Sequence, residues 1–89
     1  MAHFFENLDP ETAAELDQLS RLLYELREHL STVLAAYGAD NPAALLRQIE
    51  SGAVGEHPAY EHYLSARILA DTRDAARTLL GERAKEANR

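Results

Sequence analysis

With 89 residues, no cysteine and a formal charge of −6 at neutral pH, the chain is bounded to one small domain without disulfides, thiolate metal sites or thiol nucleophiles. The acidic balance opposes a polyphosphate backbone and an anionic lipid surface alike, which disfavours nucleic acid and membrane as partners. Of 41 apolar residues, 30 are Ala or Leu and only four are Val or Ile, the usage of helices rather than strands, so the expected fold class is all-α.

At the N-terminus, MAHFFENLD has neither a basic n-region nor an apolar run, and nowhere do 18 apolar residues follow one another. Neither an export signal nor a membrane span is expected, and the lack of cysteine fits a cytoplasmic location. Residues 1–8 read as an arm in which His3, Phe4, Phe5 and Leu8 need a surface to cover.

Three prolines then divide the chain, in the pairs Asp9-Pro10, Asn41-Pro42 and His57-Pro58. Proline suits the first helical position, where its missing N–H has no partner to lose, and Asp or Asn before it caps the next free amides. The first helix is expected from about Pro10 to Tyr37, stopping at Gly38. Within it Leu16, Leu19, Leu23, Leu26, Leu30, Val33 and Tyr37 alternate three and four apart, a heptad seam flanked by Leu22 and Leu34 that must meet another helix.

A short second helix, about 42–51, ends at Gly52 and carries Leu45, Leu46 and Ile49 to plug one end of a bundle. The third, about 58–80, gathers Leu64, Ile68, Leu69, Ala75, Ala76, Leu79 and Leu80 on one broad face and is expected to close at Gly81, leaving 82–89 as a frayed charged tail. The stripes are satisfied by a long antiparallel hairpin of the first and third helices with the second across the turn. Because one hairpin buries each helix on one side only, and Tyr63, Ala66 and Ala70 form a second, small-residue strip, a homodimeric four-helix bundle is expected.

The segment HPAYEHYL, residues 57–64, concentrates the reactive side chains. Wound at about 100° per residue, Glu61 falls in the middle of the third helix's apolar face, with His57 one turn before it, and a carboxylate there needs a partner. In the hairpin, His29 on the first helix reaches the same level, and His62 stands at the stripe's edge. His57, Glu61, His29 and His62 are therefore the candidate metal ligands, a set of imidazole and carboxylate that suits iron or zinc. The Glu-x-x-His step of di-metal bundles is absent. The structural reading is that His57 sits at the N-cap of a Pro-initiated helix and Glu61 in its first turns, where the helix dipole favours negative charge.

No serine stands in a nucleophile elbow, and no glycine run forms a phosphate cradle. The leading expectation is a small acidic homo-oligomeric interaction module, an accessory or regulatory protein without catalysis or cofactor. The alternative is a metal-binding bundle whose ligands come from the first and third helices or from the interface between two copies.

Overall fold

A computed structural model describes residues 9–87 and places three helices in order: α1 (Pro10–Ala35), α2 (Pro42–Glu50) and α3 (Glu56–Ala87). The expected arm of residues 1–8 lies outside the described residues. Among the described residues there is no strand. Nor is any helix among them long and apolar enough to cross a membrane.

Each proline-marked start has a local cause. Asp9 accepts the Thr12 amide at 2.8 Å on one carboxylate oxygen and the Thr12 hydroxyl at 2.9 Å on the other. Asn41 accepts the Ala44 amide at 2.8 Å. These bonds satisfy amides that the first turn of a helix leaves without partners. The Thr12 amide and hydroxyl also hold the Asp9 carboxyl below its ordinary value of 3.8. At the third start His57 is extended (φ −109°, ψ 127°), and the regular helix runs on from Pro58.

Helix ends follow the glycines at two of three positions. After α1 the Ala39 amide bonds the Leu34 carbonyl and the Gly38 amide the Ala35 carbonyl, both at 3.1 Å, with Gly38 at φ +59°. After α2 the same pair recurs, from Ala53 to Gln48 at 2.9 Å and from Gly52 to Ile49 at 3.1 Å, with Gly52 at φ +78°. Both are Schellman closures, which need a left-handed residue that glycine adopts without strain. Gly81 behaves otherwise: α3 continues through it to Ala87, which corrects the expected stop at Leu80 and the frayed tail. The continuation is supported from α1. Glu15 lies 3.9 Å from Arg83, Arg83 lies 3.5 Å from Glu86, and Ala84 and Ala87 are half-buried.

The seam of α1 is as its spacing predicts. Leu16, Leu23 and Leu30 are buried together with the flanking Leu34, while Leu19, Leu26, Val33 and Tyr37 are half-buried. On α3 the expected face is corrected in part. Ala76 is buried and Leu69 and Leu80 are half-buried as expected, but Ala59 and Ala66, outside that face, are buried as well, whereas Leu64, Ile68, Ala75 and Leu79 are exposed. The small-residue strip is thus the one that packs. Side chains no larger than a methyl let two helices approach closely, and the leucines of α1 fill the space that alanine leaves.

Near the turn, Leu30, Leu34 and Ala66 form one cluster with Leu45 of α2, which is fully buried. Tyr63 and Ala70 pack against the same cluster, as does Ile49. The Gln48 side-chain amide donates to the Tyr37 carbonyl at 3.1 Å and ties α2 to the end of α1. Helix α2 thereby closes one side of the hairpin at one end, as the plug expected of it. The result is a rod of 54 × 18 × 18 Å.

Candidate functional site

The register of the hairpin fixes which side chains stand level. Glu15 meets Arg83 near the open end, and the Tyr37 hydroxyl is hydrogen-bonded to Nδ1 of His62 near the turn. The Tyr37 and His62 rings meet edge to face, with centroids 5.6 Å apart and planes at 61°. Between these levels, on the side away from α2, an open groove of about 480 Å³ is lined by His29, Val33, His62, Ser65, Ile68 and Leu69. No residue of α2 reaches it.

The four candidate ligands divide into two pairs. His29 and His62 line the groove from opposite helices. His57 and Glu61 bond one another across one turn at 2.9 Å, with their side chains 82% and 56% exposed. Glu61 therefore stands in water, not on a core-facing stripe. The expectation that it needs a buried partner is corrected, and the cause is the change of packing face. Once Ala66 marks the buried meridian of α3, Glu61 lies about 140° away from it by helical winding. Among the described residues, no group of three or more His, Asp or Glu is placed to hold a metal ion.

No carboxylate lines the groove to orient either imidazole, and the His62 Nδ1 is engaged by a phenol. A nucleophile–base–acid relay needs each member held by the next, and Ser65 has no such partner among the side-chain bonds around it. What the groove offers is apolar surface rimmed by imidazole.

That surface extends beyond the groove. Winding places Leu19, Leu22, Leu26 and Val33 along one flank of α1 and Ile68, Leu69 and Leu79 along the adjoining flank of α3. Leu22 is 43% exposed, Ile68 65% and Leu79 38%. Together they make an apolar strip along most of the rod, with Glu15 and Arg83 at one end and His29 and His62 toward the other. Sequence reasoning set Ile68 and Leu79 inside and so missed the strip. The available signal was the spacing of Ala59, Ala66 and Ala70, seven and four residues apart, which sets three small residues on one side of α3.

The opposite side of the hairpin is polar. Asp74 accepts from Arg73 at 3.1 Å and from Arg77 at 2.8 Å, and these guanidinium bonds hold its carboxyl below the ordinary value. A second open groove, of about 390 Å³, is lined by Arg27, Ser31, Asp40 and Arg73 together with Leu30, Leu34, Ala35 and Ala39.

The sequence model of the Uncharacterized protein MJ0235 family matches residues 14–87. No curated protein and no solved structure matches the chain.

Proposed function

We propose that this chain, which belongs to the MJ0235 family over residues 14–87, works as a homodimeric helical interaction module in which two hairpins cover each other's apolar flanks. The matched span runs from the second turn of α1 to the end of α3. The observation that carries the reading is the mismatch between the shape and the mass. A compact chain of this length has a radius of gyration near 12 Å, against 17.1 Å here. Its accessible surface of 6346 Å² exceeds by roughly 1,100 Å² what a compact 9.9 kDa protein exposes. A standard interface removes about 800 Å² from each partner, so a second copy matches the surplus in size and the strip in chemistry.

In this reading the protein acts by presenting surface, as an accessory or regulatory subunit, and its own dimer is the folded unit that presents it. The polar sides remain outward, where Arg73, Asp74 and Arg77 keep the assembly in solution. Sedimentation at micromolar concentration is the direct test, with a dimer of about twice 9.9 kDa expected. Leu22→Glu and Ile68→Glu should each yield a helical monomer, because each puts a charge on the covered strip, Leu22 near mid-length and Ile68 beside the histidine groove, without touching the hairpin's own core. A parent chain that stays monomeric at every concentration overturns the reading.

A further inference from the structure

We propose that the groove around Arg27 and Arg73 is a binding site for a small monocarboxylate with an aliphatic chain, its carboxylate held by the two guanidiniums. The site does not depend on the dimer. Ser31, which lines this groove, lies about 180° from Leu22 by helical winding and so faces away from the apolar strip. The groove's volume of about 390 Å³ falls within the roughly 300–1,000 Å³ usual for small-molecule sites.

The place of Arg73 on its helix is the first observation. Along α3 the positions 59, 66, 73, 80 and 87 follow one another in steps of seven, and all five are buried or half-buried. Four of them are Ala59, Ala66, Leu80 and Ala87, and the fifth is Arg73. Its side chain is 30% exposed. A guanidinium on that seam gives up water that alanine or leucine would never hold, and it adds nothing to the packing that they would not add. Its ion pair does not account for it either. Asp74 accepts Arg73 Nε at 3.1 Å and Nη2 at 3.0 Å, and Arg77 Nη2 at 2.8 Å, all on the same oxygen, so one carboxylate serves two cations.

Arg27 meets it from α1. By the levels that Glu15 with Arg83 and Tyr37 with His62 set, Arg73 stands opposite residues 25–26, less than one turn from Arg27. Among the described residues Arg27 makes no ion pair. Glu25, Glu28, Arg67 and Asp71 stand near the same level, and none of them lines the groove. Two guanidiniums bordering one space offer planar forks of donors that fit a carboxylate, and the Ser31 hydroxyl adds a neutral donor. Ala35 and Ala39 give the rest of the ligand an apolar surface. Asp40 lines the groove as well, so a second anionic group on the ligand would meet a like charge. One carboxylate with an uncharged, apolar remainder is the chemistry that satisfies all of these groups.

Calorimetric titration of the full chain at neutral pH with hexanoate, adipate and inorganic phosphate tests the assignment. Hexanoate is expected to bind saturably at one site per chain, and adipate and phosphate more weakly. Arg27→Gln and Arg73→Ala should each weaken hexanoate by about tenfold or more, as for the loss of a charged hydrogen-bond donor. Arg47→Ala removes an exposed arginine of α2 that does not line the groove and should leave the affinity unchanged. A melt without ligand gives a second readout: Arg73→Ala continues the alanine seam and is expected to hold or raise the midpoint, so its lost affinity is not a lost fold. Four results overturn the proposal: no saturable hexanoate binding by the parent chain, phosphate or adipate equalling hexanoate, full affinity in both groove variants, or a midpoint lowered by Arg73→Ala.

Discussion

The two long sides of the hairpin solve the same problem differently. On one side α2 folds back, seats Leu45 between Leu30, Leu34 and Ala66, and removes the cluster from water. Beyond α2 that side turns polar, with Arg27, Arg73, Asp74 and Arg77. Among the described residues the other side has no covering element, yet Leu22, Ile68 and Leu79 lie open along its length. A chain that covers one side with its own helix leaves the other for something else. Among the described residues α2 covers the hairpin at its turn end only, and the remainder of the leucine flank stays exposed.

The largest effect that sharpens this contrast is expected at the covered side. Leu45→Ala should cost about 2–5 kcal/mol, the range for a fully buried leucine truncated in a core, and a thermal melt should show it as a lowered midpoint. On the bare side Leu22→Ala should leave the secondary structure intact and weaken dimerisation by about tenfold or more, read by sedimentation across a concentration series. If Leu22→Ala instead unfolds the chain while Leu45→Ala does not, the two sides have been assigned the wrong way round.

Smaller effects test the joints. Gly38→Ala should cost about 1 kcal/mol, because the Schellman closure that turns the chain toward α2 requires φ +59° there. Gly81→Ala is expected to act in the opposite sense, raising the melting midpoint by an amount equivalent to about 0.5–1 kcal/mol, since Gly81 is an exposed residue inside α3 with open space around its missing Cβ. A loss of stability at Gly81→Ala would mean that the helix ends there after all.

The smallest effects concern the exposed carboxylates. The Asp9 carboxyl lies below its ordinary value because it accepts from Thr12, so its contribution to folding is present above the ordinary value and disappears as pH falls through the lowered one. Asp9→Asn keeps a capping oxygen and should flatten that acid-side dependence while leaving neutral-pH stability nearly unchanged, as acid-titrated circular dichroism would record. Glu61→Gln should change stability by no more than about 0.5 kcal/mol, as for other exposed positions. A loss of more than about 1 kcal/mol would show that the bond to His57 contributes more than its exposure allows.

Much of the fold was legible because its signals are local. Asp9, Asn41 and the prolines after them act within one turn, and so do Gly38 and Gly52, which close the helices they follow. The α1 seam was legible because leucine is the large apolar residue that a seam wants, and its spacing admits one interpretation. What misled is α3, where winding ranks faces by hydrophobicity and so points to Leu64, Ile68 and Leu79. Packing selected the alanines instead, since the leucines of α1 already fill the interhelical space. Which face turns inward is a property of the pair and cannot be read from α3 by itself. The placement of Glu61 followed the same error, because its azimuth was counted from the wrong face. Gly81 was misread for a related reason: a glycine stops a helix only where nothing packs beyond it, and α1 reaches far enough to hold residues 82–87.

The alanine seam also bears on how the two helices find their alignment. Ala59 and Ala66 are seven residues apart, two turns of helix, but the next step of seven is Arg73. A slide of α3 by two turns toward its own N-terminus would carry Arg73 to the place of Ala66 and Arg83 to that of Ala76, so the seam itself opposes a slipped register. Leu45 opposes it too, because it packs among Leu30, Leu34 and Ala66. In the assembly of the hairpin α2 therefore adds a second register pin to the one that the arginines set.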